Sequence, residues 1–195
     1  MEQMKKDKFS VIIRTRNEER WIGYAIQSVL DHFEKPEIII VDNKSTDKTI
    51  DIVKYFVQEP ALETTTESNY TKIKIKYVDD YSPGKALNLG VKHSSNKYIL
   101  IISAHCVLNK INIQSHIVQL KKYVCVFGKQ IPIRYGKKIT KRYFWSNFIN
   151  KKVENMYSKL ENRYFLHNAI AIYNRSILKK YPFNENLIGK EDRYW

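Results

Sequence analysis

Two strings of polar residues stand at the ends of apolar runs. Arg14-Thr15-Arg16-Asn17-Glu18 closes the run Phe9 to Ile13, and Asp42-Asn43-Lys44-Ser45-Thr46-Asp47 closes the run Glu37 to Val41. A carboxylate at the tip of a buried strand, as Asp42 would be, must face water or a hydrogen-bond donor, because an unpaired buried charge costs several kcal/mol. The N–H and O–H groups of a nucleotide base or ribose would meet that need. The N–H groups that open the next helix would meet it equally, and Asp42 would then be a helix cap. A third string, Ser82-Pro83-Gly84-Lys85, joins a capping residue to a proline at the first helical position. A helix N-terminus offers unpaired N–H groups and partial positive charge, so residues 82–85 could receive a diphosphate with Lys85 as a further cation. A solvated first-turn lysine is the plain alternative.

Such strings meet only if the strands that carry them run side by side in the same direction. Four β-rich runs recur in the first half, Phe9 to Ile13, Glu37 to Val41, Ile73 to Val78 and Tyr98 to Ile102, each followed by helical spacing. The clearest helix is expected from Glu18 to Phe33, with Ile22, Ala25, Ile26, Val29 and Leu30 on one stripe. A second follows the cap types Ser45, Thr46 and Asp47 and carries Ile50, Val53, Phe56 and Val57; a third runs from Pro83 through Leu87 and Val91. The near-continuous apolar runs Ile38 to Val41 and Tyr98 to Ile102 suit the centre of a parallel sheet, so the expectation is an open α/β fold with ligands at the carboxyl ends of its strands. Gln58 to Thr71 reads as an exposed loop. Beyond Ile102 a helix from Ile111 to Tyr123, strands Val124 to Phe127 and Phe165 to Tyr173, and a basic aromatic stretch from Tyr135 to Lys152 are expected.

Three strings, Ser10-Val11-Ile12-Ile13-Arg14-Thr15-Arg16-Asn17-Glu18-Glu19, Ile39-Ile40-Val41-Asp42-Asn43-Lys44-Ser45-Thr46-Asp47 and Gly84-Lys85-Ala86-Leu87-Asn88-Leu89-Gly90, resemble in order and spacing the family 2 glycosyltransferases of the GT-A fold. The resemblance covers essentially the whole chain. It implies a single Rossmann-like α/β domain, an open, mainly parallel mixed sheet flanked by helices, with a nucleotide-binding half (1–102) and an acceptor-side half (103–195). It implies an inverting transferase that moves a sugar from a nucleoside-diphosphate sugar to a glycan or lipid-linked acceptor, as in bacterial surface-polysaccharide synthesis. Thr15 and Asn17 would border the nucleotide pocket, Asp42 would contact the donor base, and Lys85 would lie near the donor. Where the family places Asp-any-Asp to hold a divalent cation, this chain has Ser103-Ala104-His105. Ser103 and His105 then occupy the two ligand positions. A neutral imidazole suits Mn²⁺ better than the oxygen-seeking Mg²⁺, and lysines or arginines taking over the cation's role is the other reading. A backbone-satisfied histidine is the third. Near the end, Glu191-Asp192 resembles the pair that supplies the catalytic base: Asp192 would take the proton from the acceptor hydroxyl, with Glu191 orienting the acceptor or acting instead. Without the resemblance, the same pair reads as acidic residues in the first turn of a helix. The family's pattern continues past this pair, so the resemblance implies a chain short at its C-terminus.

Composition bounds these readings. The 195 residues, 43% hydrophobic and 28% charged, exclude collagen-like and wholly disordered classes and suit one domain. The net charge of +14 is local: residues 81–153 carry 14 Lys or Arg and no Asp or Glu, whereas the rest balance. That points to anionic partners. In the basic aromatic stretch, Lys137, Lys138, Lys141, Arg142, Lys151 and Lys152 surround Tyr143, Phe144, Trp145, Phe148 and Ile149, which suits sugar stacking, peripheral contact with anionic membrane, or a solvated face over core aromatics. Cys106 and Cys125 form no disulfide framework, and no apolar run approaches a bilayer span, so a cytoplasmic protein is expected. A nucleic-acid binder would rest on charge alone, and neither a G-x-G-x-x-G string nor a phosphate-binding P-loop is present. A catalytically inert sugar-nucleotide or glycan-binding module is the competing reading.

Overall fold

The structure is a computed structural model and describes residues 8–57, 71–138, 152–159, 162–192 and 194–195. The β-rich runs of the first half form β1 (Phe9–Thr15), β2 (Glu37–Asp42), β3 (Ile73–Tyr77) and β4 (Tyr98–Ser103), joined through α1 (Ile22–His32), α2 (Thr49–Phe56) and α3 (Pro83–His93). All four strands are parallel, with Ile13 level with Ile40 on one side and Ile102 on the other. The second half contributes α4 (Ile113–Gln119), β5 (Cys125–Phe127), the short pairs β6 (Ile133–Arg134) with β7 (Lys137–Lys138) and β8 (Tyr157–Ser158) with β9 (Arg163–Tyr164), then β10 (Ile170–Asn174) and α5 (Arg175–Lys180). Strand β10 lies antiparallel to both β4 and β5, giving the six-stranded order β3-β2-β1-β4-β10-β5. The sheet is therefore mixed and mainly parallel.

Alternation along the strands divides the core. Val11, Ile13, Ile38 and Leu100 pack with Ile22, Ile26 and Val29 of α1, Val53 of α2 and Ile117 of α4. Ile12, Ile39, Val41 and Ile101 pack with Ala86, Leu87 and Val91 of α3, Leu178 of α5 and Phe183. Both faces of the sheet are covered, which is why β2 and β4 read as continuous apolar runs.

Three boundaries differ from the sequence expectation. Helix α1 starts at Ile22 rather than Glu18, and the N–H groups of Glu18 and Glu19 instead join the neighbouring loop through Thr49 Oγ1 (2.7 Å) and Asp47 Oδ2 (3.0 Å). Helix α4 is shorter than Ile111 to Tyr123, opening where Asn112 Oδ1 accepts from Ser115 N. Residues 165–169 do not join β10: Asn168 N–H donates to Asp192, and His167 Nε2 donates to Gly128 O. The expected Gln58 to Thr71 loop falls almost entirely outside the described residues, as does most of the basic aromatic stretch, including Lys141, Arg142, Tyr143, Phe144, Trp145, Phe148, Ile149 and Lys151.

Candidate functional site

Parallel β1, β2 and β4 bring their carboxyl ends, Thr15, Asp42 and Ser103, to one edge of the sheet, and β10, running the other way, adds its leading end there: Ser103 N–H donates to Ala169 O at 3.1 Å. The loops after β1 and β2 are laced together. Asn17, at φ +53, donates its N–H to Ser45 Oγ (2.9 Å) and accepts from Thr46 N–H on its Oδ1 (2.8 Å). Asp42, 1% exposed, accepts from both Ser45 N–H (2.9 Å) and Ser45 Oγ–H (2.5 Å). Its charge is met inside its own loop, in the manner of a cap. Thr15 is buried, and its hydroxyl has no hydrogen-bond partner among the described residues.

At the start of α3, Ser82 Oγ accepts from Lys85 N–H (3.1 Å), Pro83 has no N–H, and Gly84 is buried against Asn184. A Cβ on Gly84 would lie 2.4 Å from Asn184 O. The helix start is thus covered by the C-terminal segment, and Lys85 Nζ pairs with the exposed Asp80.

The string after β4 gains a carboxylate from the loop that follows β1. His105 Nδ1 lies 3.0 Å from Glu18 Oε1, on a side chain that is 60% exposed. The Glu18 contact occupies Nδ1 and leaves Nε2 as the second ring nitrogen, the arrangement in which a carboxylate orients an imidazole ligand. Among the described residues no group of three His, Cys, Asp or Glu side chains converges, so His105 and Glu18 do not fit a resident divalent cation by themselves. Cys106, next along, is pushed up to about 11 by burial and by the neighbouring Glu18 charge, which keeps it an unreactive thiol.

The acidic pair divides its labour. Glu191 is 3% exposed, and its Oε1 lies 2.9 Å from Arg14 Nη1 as an ion pair without an aligned hydrogen bond. Burial raises the Glu191 carboxyl above its ordinary range against the opposing pull of Arg14, and the Asp192 charge raises it further. Asp192 is half-buried and its Oδ2 accepts from Asn168 N–H (3.2 Å); Asn168 is itself fixed by the buried Tyr173 hydroxyl (2.6 Å). Asp192 also stands in the wall of a cavity of about 1220 Å³, beside Phe127, Phe165, His167 and Trp195. The edge-to-face contacts of His167 with Phe127 and Phe165 give this wall an aromatic surface, and the burial of His167 lowers its pKa and keeps it neutral.

Residues 10–182 match the sequence profile described as Glycosyl transferase family 2. The chain belongs to that family. Among curated family 2 relatives, 99 residues are 33% identical to a dolichyl N-acetyl-α-D-glucosaminyl phosphate 3-β-D-2,3-diacetamido-2,3-dideoxy-β-D-glucuronosyltransferase of Methanococcus voltae, covering 49% of this chain and 28% of the relative. A further 108 residues' match, at 30% identity, is to the poly(ribitol-phosphate) β-N-acetylglucosaminyltransferase TarS of Staphylococcus aureus, over 53% of this chain and 17% of TarS. The solved structure of TarS 1-349 superposes with a TM-score of 0.66 at 24% identity, covering 95% of this chain and 52% of that one. The mannosyltransferase PcManGT of Pyrobaculum calidifontis, solved with GDP-Man and Mn²⁺, gives 0.63 at 17% identity over 94% and 49%. These likenesses establish the GT-A fold, and the chain spans about half of those structures and less of the curated relatives.

The structure therefore brings Thr15, Asn17, Asp42, Ser103 and His105 to one sheet edge, sets Glu191 under it on Arg14, and places Asp192 at the cavity. Lys85, in the first turn of α3, pairs with Asp80. Arg14, Glu18 and Asn168 escaped the sequence reading as site residues. Arg14 left a signal, since it is the one cation within the strand Phe9–Thr15; Asn168 left none.

Proposed function

We propose that this family 2 domain transfers a glycosyl group, with inversion, from a nucleoside-diphosphate sugar to a hydroxyl of a glycan or polyol acceptor, and that Asp192 is the base. The observation that carries the reading is the place of Asp192: half-buried, held by a backbone N–H, and standing in the wall of a cavity that runs along β5 at the edge of the sheet. One Asp192 oxygen keeps the Asn168 N–H, and the carboxylate accepts the acceptor's proton as the hydroxyl oxygen attacks the anomeric carbon. The bond from that carbon to the diphosphate oxygen breaks on the opposite face, and the electron pair leaves with the nucleoside diphosphate. Glu191, buried on Arg14, anchors the segment instead of meeting substrate. Thr15, Asn17, Asp42 and Ser103 border the donor side, with Asp42 acting through its loop, and His105, oriented by Glu18, faces the departing diphosphate. A divalent cation there would need most of its ligands from the donor's phosphates.

The cavity supports an acceptor that combines a sugar or polyol with phosphate. Aromatic walls suit C–H faces, and Lys110, Lys129, Lys152 and Arg163 outnumber Glu154 and Asp192 around it. The names of the two curated relatives described above include a phosphate-bearing glycan or polyol.

The test is kinetic, with UDP-N-acetylglucosamine and GDP-mannose as donors. Asp192→Asn is expected to lower kcat about 100- to 10,000-fold, with donor affinity by calorimetry changed less than about twofold. Glu191→Gln is expected instead to lower Tm, because it strands Arg14 without its partner. Normal turnover in Asp192→Asn would overturn the assignment of the base.

A further inference from the structure

The string Gly84 to Gly90 carries a residue whose contacts lie far along the chain. Asn88 pairs with Phe183 in both directions: its Nδ2–H donates to Phe183 O (2.9 Å) and its Oδ1 accepts from Phe183 N–H (3.0 Å). The same Nδ2 donates to Glu185 Oε1 (2.8 Å). A side-chain amide here occupies the place a neighbouring strand would take, satisfying both backbone groups of one residue. One helical turn earlier, Gly84 lies on the same stripe of α3 and accepts the close approach of Asn184, whose carbonyl oxygen and carbon would lie 2.4 and 2.8 Å from an added Cβ. Phe183 itself is 1% exposed and packs against Tyr173 and Trp195. Residues 183–185 are thereby clamped to α3.

The next clamp comes at Glu191, on Arg14 of β1. Between the two, the chain is largely exposed: Ile188 is 98% accessible, and Lys190 adopts φ +62. Besides the direct bond from Asn168 N–H, Asp192 is therefore held by two anchors on its own segment that never touch the cavity, one ionic and one formed by Asn88. We propose that Asn88 is a positioning residue for Asp192, acting through the backbone of Phe183; this rests on the reading of Asp192 as base. An ordinary stabilising contact would lower Tm and leave the chemistry alone, whereas a positioning contact alters kcat and couples to Asp192.

The full chain is tested as Asn88→Ala and Asn88→Asp, the latter keeping an acceptor for Phe183 N–H. Hydrogen exchange is expected to quicken about tenfold at amides 183–192 in Asn88→Ala, with β1 and β4 unchanged. Hydrolysis of UDP-N-acetylglucosamine or GDP-mannose should lose about tenfold in kcat with the donor KM unmoved, and Asn88→Asp should lose at least as much, because its carboxylate faces Glu185 and the Phe183 carbonyl oxygen without a donor between them. Combined with Asp192→Glu, the two losses should fall short of multiplying, because the longer side chain already misplaces the base. Unchanged exchange at 183–192, an unchanged kcat, or fully multiplicative losses would overturn the proposal. If neither donor is hydrolysed by the unaltered chain, the reading of Asp192 fails separately, and the exchange measurement alone decides whether Asn88 holds the segment.

Discussion

Glu37 and Asp42 are carboxylates at opposite ends of β2, both buried, and the protein meets each charge with its own donors. Asp42 closes its loop on Ser45. Glu37 collects Ser10 Oγ (2.5 Å), Ser95 N–H (2.7 Å), Ser95 Oγ (3.0 Å) and Lys74 Nζ (2.6 Å). Burial alone would raise the Glu37 pKa, but these partners outweigh it and hold the carboxyl at about 2, against 4.5 ordinarily. A carboxyl that is more acidic folded than unfolded adds stability above its unfolded pKa, and the addition is lost as pH falls. The contribution is about 3 kcal/mol at neutral pH, and it fades between pH 4.5 and about 2. Glu37→Gln should therefore lower Tm by about 5–10 °C at pH 7 and by much less near pH 3. Calorimetric scans at the two pH values check this, and an equal loss at both would show that the carboxylate charge is not what stabilises this end of the sheet.

At the scale of elements, the parallel strands and α3 were legible because their signals are local: continuous apolar runs, a stripe at helical spacing, and the Ser82-Pro83 start. What escaped was long-range. Nothing near Glu18 announces that its carboxylate reaches His105, and nothing near Asn88 announces Phe183, 95 residues on. The C-terminal half of the expected strand Phe165 to Tyr173 formed, but its first residues turned aside because Asp192 and Gly128 took their hydrogen bonds, an effect no window around residue 167 contains. Gly84 illustrates the difference. In sequence it is a mildly unfavourable helix residue; in the structure it is where the C-terminal segment touches α3. Gly84→Ala, ordinarily favourable in a helix, should here push Asn184 away, because backbone cannot yield as a flexible side chain does. In a chain carrying Trp21→Phe and Trp145→Phe, the emission of Trp195, packed on Tyr173 and Phe183, should shift to longer wavelength in Gly84→Ala. An unshifted spectrum with an unchanged Tm would mean that the segment tolerates the methyl group.

For the whole molecule, the question is where an excess of +14 acts. Near the carboxyl ends of the parallel strands three cations have acidic partners: Arg14 faces Glu191, Lys85 faces Asp80 and Lys44 lies 3.7 Å from Asp79. Of the cations of residues 81–153, Lys110, Lys129 and Lys152 stand in the cavity wall, Lys152 at 3.8 Å from Glu154, and Arg163 joins them there. On the proposed reading, in which the acceptor occupies this cavity, four cations stand where an acceptor phosphate would enter. Exposed cations attract an anion weakly one by one, yet several around a partly enclosed aromatic space act together and lose strength as salt screens them. Ribitol 5-phosphate should accordingly bind at least about tenfold more tightly than ribitol, a difference of the size expected for charge-assisted hydrogen bonds. Raising the salt from about 50 to about 500 mM should close most of that gap without weakening ribitol. Lys110→Ala with Lys129→Ala should narrow it at low salt while leaving nucleotide affinity alone, since neither lysine lies at the donor edge. Calorimetric titration of the two ligands checks all three outcomes, and equal affinities for ribitol and its phosphate at low salt would remove phosphate from the chemistry this cavity is built to meet.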